Sequence, residues 1–243
     1  MLTKLVKRYQ HPINYEKILW LNYSRFLKND SVIVDVGAHH GMHTINFLNI
    51  AKDGAVIAIE PLKNKFSELR NKTKKYNNIH LFNLALSNYV GVSEFIIAEN
   101  TLEESGLKKR LSYNEPKLVH LKKTKTKVEK LDNLIGKLKL KKIDYIKIDI
   151  EGGEIDCLKG GIDSIKKYRP YISVEYSWIT YKPYGHKNKT LYLLSQELGY
   201  TIVDIFGYVI NTMDEWLSAV DKTYWDFYLI PKEKVNQFVN AVS

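Results

Sequence analysis

Asp149 and Glu151 follow an apolar run and precede paired glycines in the stretch "DYIKIDIEGGEIDCLKGG", Asp144 to Gly161. In "IDYIKID" the residues alternate as in a strand, so Lys147 and Asp149 share a face, and Gly152 with Gly153 permits a sharp turn into a helix starting near Glu154. The run "YISVEYS" brings Glu175 to the end of a neighbouring strand. Three carboxylates and a lysine thus meet at one rim. Asp149 and Glu175 can take a proton from a hydroxyl or orient it. With Glu151 they can alternatively bind one hard cation such as magnesium, whose ligands are oxygens; no residue is assigned to a metal. Glu151 has a second reading, as a cap that holds the turn through backbone N–H groups. Lys147 reads as the partner of an acid that keeps the cluster compact.

A second constellation lies upstream. "VIVDVGAHHGMHT" places Asp35, Gly37 and Gly41 where a strand ends and a helix begins, with Ala38, His39 and Thr44 inside the same segment. Glycine there allows a tight turn and close backbone approach to a ligand, and the helix start offers unpaired N–H groups. The G-x-x-x-G spacing is not the G-x-G-x-x-G that seats a pyrophosphate, which disfavours NAD or FAD. A carboxylate at Asp35 suits a ligand tail bearing an ammonium group, and the sulfonium of S-adenosylmethionine adds positive charge nearby. Glu60, closing "AVIAIE" one βα unit later, can accept hydrogen bonds from both ribose hydroxyls. Leu86 and Ser87 in "NLALS" can meet an adenine edge. His40 and His43 read as exposed residues of the helix start. His186, in "YKPYGHKN", reads as surface, and Cys157 as a small core residue.

These segments need a scaffold that brings strand ends together. "VIVDVGA", "AVIAIEP", "IHLFNLALS", "IDYIKID", "YISVEYS" and "TIVDIFG" are short β-branched runs separated by polar stretches of helical length. Apolar strands alternating with helices predict a mostly parallel sheet covered on both faces, a three-layer αβα sandwich. "KNKFSELRNKTKKY" fits a crossover helix with Phe66, Leu69 and Thr73 toward the sheet. "WDFYLIP" is a last strand after a loop or short helix containing "DEWLSAV". Residues 1–30 read as a short helical extension with a ragged stripe, and 31–243 as one domain, which the length of 243 residues accommodates. Thr101 to Lys127 shows no periodicity and reads as a long loop, either a lid or disordered.

Taken together, "DVGAHHGMHT", "IEP", "NLALS", "KLDNL" and above all "YIKIDIEGGEIDCLKG" followed by "ISVEYS" resemble the FkbM family of S-adenosylmethionine-dependent methyltransferases. The resemblance covers about residues 31 to 178. It implies a class I methyltransferase fold, α/β with a seven-stranded sheet whose last strand is antiparallel, and methyl transfer to a hydroxyl oxygen, often of a sugar or polyketide. Carried over by position, it implies Asp35, Gly37, Ala38, His39, Gly41 and Thr44 for the cofactor turn. It implies Glu60 for the ribose and Leu86 and Ser87 for the adenine, while Asp149, Glu151 and Glu175 are the candidates for the reacting end from their place at the rim, with Asp149 also a candidate for touching the cofactor. Members commonly carry Ala-Asn and an aliphatic residue inside the turn, where this chain has Ala38, His39 and His40.

Composition narrows the partners. The formal charge of +10 is carried almost wholly by lysine, with arginine only at Arg8, Arg25, Arg70, Arg110 and Arg169. Base and phosphate recognition leans on the planar arginine fork, so a nucleic-acid methyltransferase using the lysine-rich surface is the lesser alternative. The other is a non-catalytic binding protein that keeps the cofactor fold. The lone Cys157 forms no internal disulfide, no apolar run approaches a membrane span, and the first residues lack a signal peptide's apolar segment. A cytoplasmic enzyme acting on a small-molecule or glycan acceptor is expected, and a homo-oligomer is compatible with the sequence. Tyr176, Trp178, Tyr181 and Tyr184 suit an apolar sugar face or the core.

Overall fold

The computed structural model describes residues 14–98, 105–109, 121–222 and 224–243. The chain begins with α1 (Tyr15–Phe26), capped by the Asn14 side chain, which accepts from the Lys17 amide at 2.9 Å. There follow β1 (Val32–Val36), α2 (Met42–Ile50), β2 (Ala55–Ile59), α3 (Lys63–Thr73), β3 (Ile79–Phe82), β4 (Ala85–Leu86) and β5 (Gly91–Ala98). Then come β6 (Leu121–Glu129), α4 (Leu131–Leu138), β7 (Tyr145–Ile148), α5 (Glu154–Lys159), α6 (Ile162–Tyr168) and β8 (Tyr171–Glu175). The remainder is α7 (Trp178–Tyr181), α8 (Thr190–Glu197), β9 (Tyr200–Asp204), β10 (Val209–Ile210), α9 (Met213–Ala219), β11 (Asp226–Pro231) and α10 (Val235–Val242).

The main sheet runs β10-β9-β11-β8-β7-β1-β2-β3. Pairs β3/β2, β2/β1, β1/β7 and β7/β8 are parallel, and β11 inserts antiparallel between β8 and β9. The sheet has eight strands where seven were expected, because the two-residue β10 folds back on β9. From β1 the chain winds outward to β2 and β3, then returns to β7 on the other side of β1. Right-handed crossovers in opposite directions put helices on both faces. The order reverses between β1 and β7, and the crevice beyond the strand ends at such a reversal is where ligands of open α/β sheets bind.

A second sheet, β4-β6-β5, was not anticipated. "IHLFNLALS" is two strands, β3 in the main sheet and β4 in this one, and Asn83 between them ties the bend by donating to the Glu60 and Pro61 carbonyls. Residues 121–127, expected as loop, belong to β6, which pairs with β5 over eight residues. Positions 101–104 and 110–120 of the expected loop lie outside the described residues.

The main core cluster runs from Leu19 and Tyr23 of α1 to Phe238 of α10 around the largely buried β1, β2, β7, β9 and β11, and a smaller cluster joins Ala38, Ala58 and Leu69. Phe26 of α1 sits edge-on to Tyr145 and Tyr171 at ring distances of 5.3 and 5.2 Å, so aromatic packing fixes α1 to the sheet. Leu69 and Thr73 of α3 are buried with Phe66 beside them, as the helical spacing predicts. Among the described residues no helix is long and apolar enough to cross a membrane.

Candidate active site

The ends of β1, β2, β7 and β8 open into a cavity of about 380 Å³, within the usual range for a small-molecule site. Asp35, Gly37, Ala38, His39, Glu60, Leu86, Asp149, Glu151 and Glu175 all line it. Gly41, Thr44 and Ser87 do not. Thr44 acts one step back, donating its hydroxyl to Asp35 Oδ2 at 2.6 Å. Ser87 is buried in the β4–β6 pairing, where its amide donates to the Glu129 carbonyl.

The turn after β1 is built against β7. Gly37 has φ +85°, and a Cβ there would sit 1.8 Å from the Asp149 carbonyl oxygen. Gly37, which also lines the cavity, thus brings the turn close against the residues that follow β7. Gly41 (φ +90°) faces Leu69 of α3. His39, at φ 47°, is in the left-handed region, which asparagine and histidine tolerate better than most side chains. The same backbone demand explains how His39 replaces the asparagine common in relatives. Its amide donates to Glu60 Oε2 at 2.8 Å, and the Leu62 amide donates to Oε1 at 2.7 Å. Burial pushes the Glu60 carboxyl up to about 7 despite these two donors.

Asp35 is 1% exposed and keeps Oδ1 without a hydrogen-bond partner among the described residues. Next to it in register is Lys147, 4% exposed, whose ammonium donates to Asp149 Oδ2 at 2.8 Å. Burial works against the lysine's charge, but Asp149 and Asp35 together hold its pKa above the usual range. Burial also works against charge on Asp149, yet Lys147 and a hydrogen bond with Glu175 hold its carboxyl below the usual range. Glu175 goes the other way, raised well above the ordinary value by burial and by the charges of Asp149 and Glu151. The two carboxyls are thus driven in opposite directions. Ligand oxygens of Asp149, Glu151 and Glu175 lie within 4.8 Å of one another.

Glu154 holds the turn after β7, its Oε1 accepting from the Ile150 and Gly152 amides at 3.0 and 3.1 Å. Glu151 sits at φ 58° and lines the cavity. A Cβ on Gly152 would lie 2.1 Å from the Thr180 carbonyl, so the turn packs directly on α7. Of the aromatic residues beyond β8, Tyr176 and Tyr181 are buried and stacked at 4.6 Å, and only Tyr184 of the four reaches the cavity wall. Cys157 is buried, as expected.

Several lining residues were not assigned to the site from sequence, among them Glu16, His43 and His40, the last of which was expected to be exposed. His43, expected to be exposed, is half-buried and donates from Nε2 to Glu16 Oε2 at 2.8 Å. Its Nδ1 faces the Tyr23 hydroxyl at 3.3 Å, and that hydroxyl accepts from Asn46 at 3.1 Å. Glu16 is lowered below the usual carboxylate range, first by the His43 hydrogen bond. No spacing signal joins Glu16 to His43, and only the fold brings them together. His186 is also less exposed than expected, bonding Asp156 at 3.2 Å, but it lies outside the cavity wall.

The family model described as the methyltransferase FkbM domain matches residues 35–202, more than half of the chain. The chain belongs to the FkbM methyltransferase family. It is 26% identical over 159 residues to the 2-O-methyltransferase NoeI of Sinorhizobium fredii, covering 62% of this chain and 65% of that one. It is 27% identical over 171 residues to the AMB antimetabolite synthetase AmbE of Pseudomonas aeruginosa, 57% of this chain but 8% of the relative. The chain thus spans less than two thirds of either FkbM-type relative. Among solved structures, a methyltransferase FkbM from Methylobacillus flagellatus superposes with a TM-score of 0.52 at 18% identity, over 86% of this chain and 47% of that one. The class I methyltransferase fold of this FkbM member is the one its sequence pattern predicted.

Proposed function

We propose that this FkbM methyltransferase uses S-adenosylmethionine to methylate a hydroxyl oxygen, with a sugar or glycan as acceptor. The observation that carries the reading is the carboxyl cluster of Asp149, Glu151 and Glu175, its oxygens within 4.8 Å of one another, in the cavity that Asp35 and Glu60 also line. The cofactor fits the residues present. Asp35 offers a buried, unpartnered carboxylate oxygen to an ammonium group, and Glu60 offers a carboxylate already oriented by two backbone donors. Leu86, Ile59 and Leu84 give an apolar wall suited to a base.

When bound, S-adenosylmethionine supplies an electrophilic methyl group. The protein's part is to hold a hydroxyl oxygen in line with it, at roughly 3 to 3.5 Å. Asp149, ionised and fixed by Lys147, accepts the hydrogen bond of that hydroxyl. As the oxygen gives up electron density its proton becomes acidic and passes to Asp149. A base of depressed pKa suffices because the proton leaves late. Glu175, protonated, donates and keeps the pair to one negative charge. Glu16 and His43, which also line the cavity, orient further hydroxyls of the acceptor. The name of the NoeI relative supports oxygen as the accepting atom.

The test is transfer of labelled methyl from S-adenosylmethionine to a panel of mono- and oligosaccharides. Asp149→Asn should lower the rate about 10²- to 10⁴-fold with cofactor affinity kept. An undiminished rate would remove Asp149 from the chemistry. Repeating the assay with a chelator and with added magnesium separates proton sharing from a cation held by Asp149, Glu151 and Glu175.

A further inference from the structure

The β4-β6-β5 sheet turns one face inward, where Phe95 lines the cavity and Thr126 and Val128 are buried, and the other to solvent. On the outer face the register sets Lys127 opposite Val92, Lys125 opposite Glu94 and Lys123 opposite Ile96. Lys123, Lys125 and Lys127 are exposed and recur every second residue, about 7 Å apart along the strand. Glu94 is paired with Lys123 at 2.9 Å, and Glu129 at the strand end is taken by Lys137 at 3.2 Å. Lys125 and Lys127 have no ion pair among the described residues. Beyond β5, Gly106 bridges to Ile96, which carries the exposed Lys108 and Lys109 to the same edge. The Lys108 ammonium lies 5.2 Å from the centre of the Tyr184 ring, and Tyr184 lines the cavity. Positive charge therefore runs from the outer face, around the β5 edge, to the cavity rim.

We propose that this face binds a polyanionic glycan, a chain bearing carboxylate or sulfate groups, one of whose hydroxyls enters the cavity. The inference rests on the proposed O-methyl transfer and narrows its acceptor class. Unpaired lysines at regular spacing complement a polymer of regularly spaced negative charge. Nucleic acid fits less well, since the described residues of this face offer neither aromatic rings for base stacking nor an arginine fork.

The experiment measures binding of polygalacturonate, heparin, neutral dextran and polyuridylate to the full chain and to a Lys123→Gln/Lys125→Gln/Lys127→Gln variant, with S-adenosylmethionine titrated into both proteins. The exposed positions leave folding intact, which unchanged cofactor affinity and circular dichroism verify. The expected result is binding of polygalacturonate or heparin that weakens with salt, no binding of dextran, and at least a tenfold loss in the triple variant. Absence of polyanion binding, or binding that the triple variant retains, overturns the proposal. So does tighter binding of polyuridylate that the variant loses. If wild-type protein binds polyanion but not S-adenosylmethionine, the methyl-transfer reading fails while the surface stands.

Discussion

The Lys147 ammonium lies 2.8 Å from the Asp149 carboxylate, two residues along one strand and on one face. The lysine is almost wholly buried while Asp149 opens into the cavity, so the pair is a fixed charge with one usable side. Lys147 is the reason Asp149 stays ionised beside two further acids.

Replacing Lys147 by Met leaves Asp149 uncompensated in a mostly buried cluster. Removing one member of a buried pair costs about 3 to 5 kcal/mol, and the opening of Asp149 to the cavity brings the expected cost to roughly 2 to 3. Urea unfolding measures it, and Lys147→Met combined with Asp149→Asn should recover part of the loss. An unchanged midpoint in the single variant would show that the pair is not coupled to folding.

Gly37→Ala should be among the most damaging single substitutions. The added Cβ meets the Asp149 carbonyl and the residue must hold a φ of +85°. Separating β1 from β7 costs about 3 kcal/mol or more. Gly136→Ala, with open space around the position, is the control and should be near neutral.

Glu60 predicts a stability change with pH of defined sign. Its folded pKa, about 7, lies above the ordinary 4.5, so the folded state holds the proton more tightly. Its stabilising contribution is complete below about 4.5 and is lost as pH rises through about 7. Wild-type protein should lose stability relative to Glu60→Gln across that window, on the order of 1 to 3 kcal/mol. Parallel pH profiles of the two proteins in urea would contradict the assignment.

Glu16→Gln and His43→Gln should leave cofactor affinity within about twofold and raise KM for the proposed acceptor by roughly tenfold, about 1.4 kcal/mol of lost positioning. A fall in kcat alone would instead place the pair in the chemistry.

Much of the fold was legible because β1, β2, β7, β8 and β9 are mostly buried on both faces, which leaves a continuous apolar signature. The rim acids were legible because strand alternation assigns Lys147 and Asp149 to one side. β6 was not, since "LKKTKTKVE" alternates lysine with threonine and its partner β5 is distant in sequence. Its inner face is marked only by Thr124, Thr126 and Val128. The Glu16–His43 contact was invisible for a similar reason: it joins elements 27 residues apart through tertiary packing. Ser87 and Gly41 lie in the segments that pattern reasoning selected, yet pack away from the cavity, because a motif identifies a turn and not the direction of each residue in it.

The central claim is that the crevice between β1 and β7 holds S-adenosylmethionine through Asp35 and Glu60. Calorimetric titration of the chain with S-adenosylmethionine and, separately, NAD, repeated with Asp35→Asn and Glu60→Gln, tests it most directly. The account predicts micromolar binding of S-adenosylmethionine, none of NAD, and at least tenfold weaker binding in each variant. Failure of the wild-type protein to bind S-adenosylmethionine, or affinity that both substitutions leave intact, would contradict it.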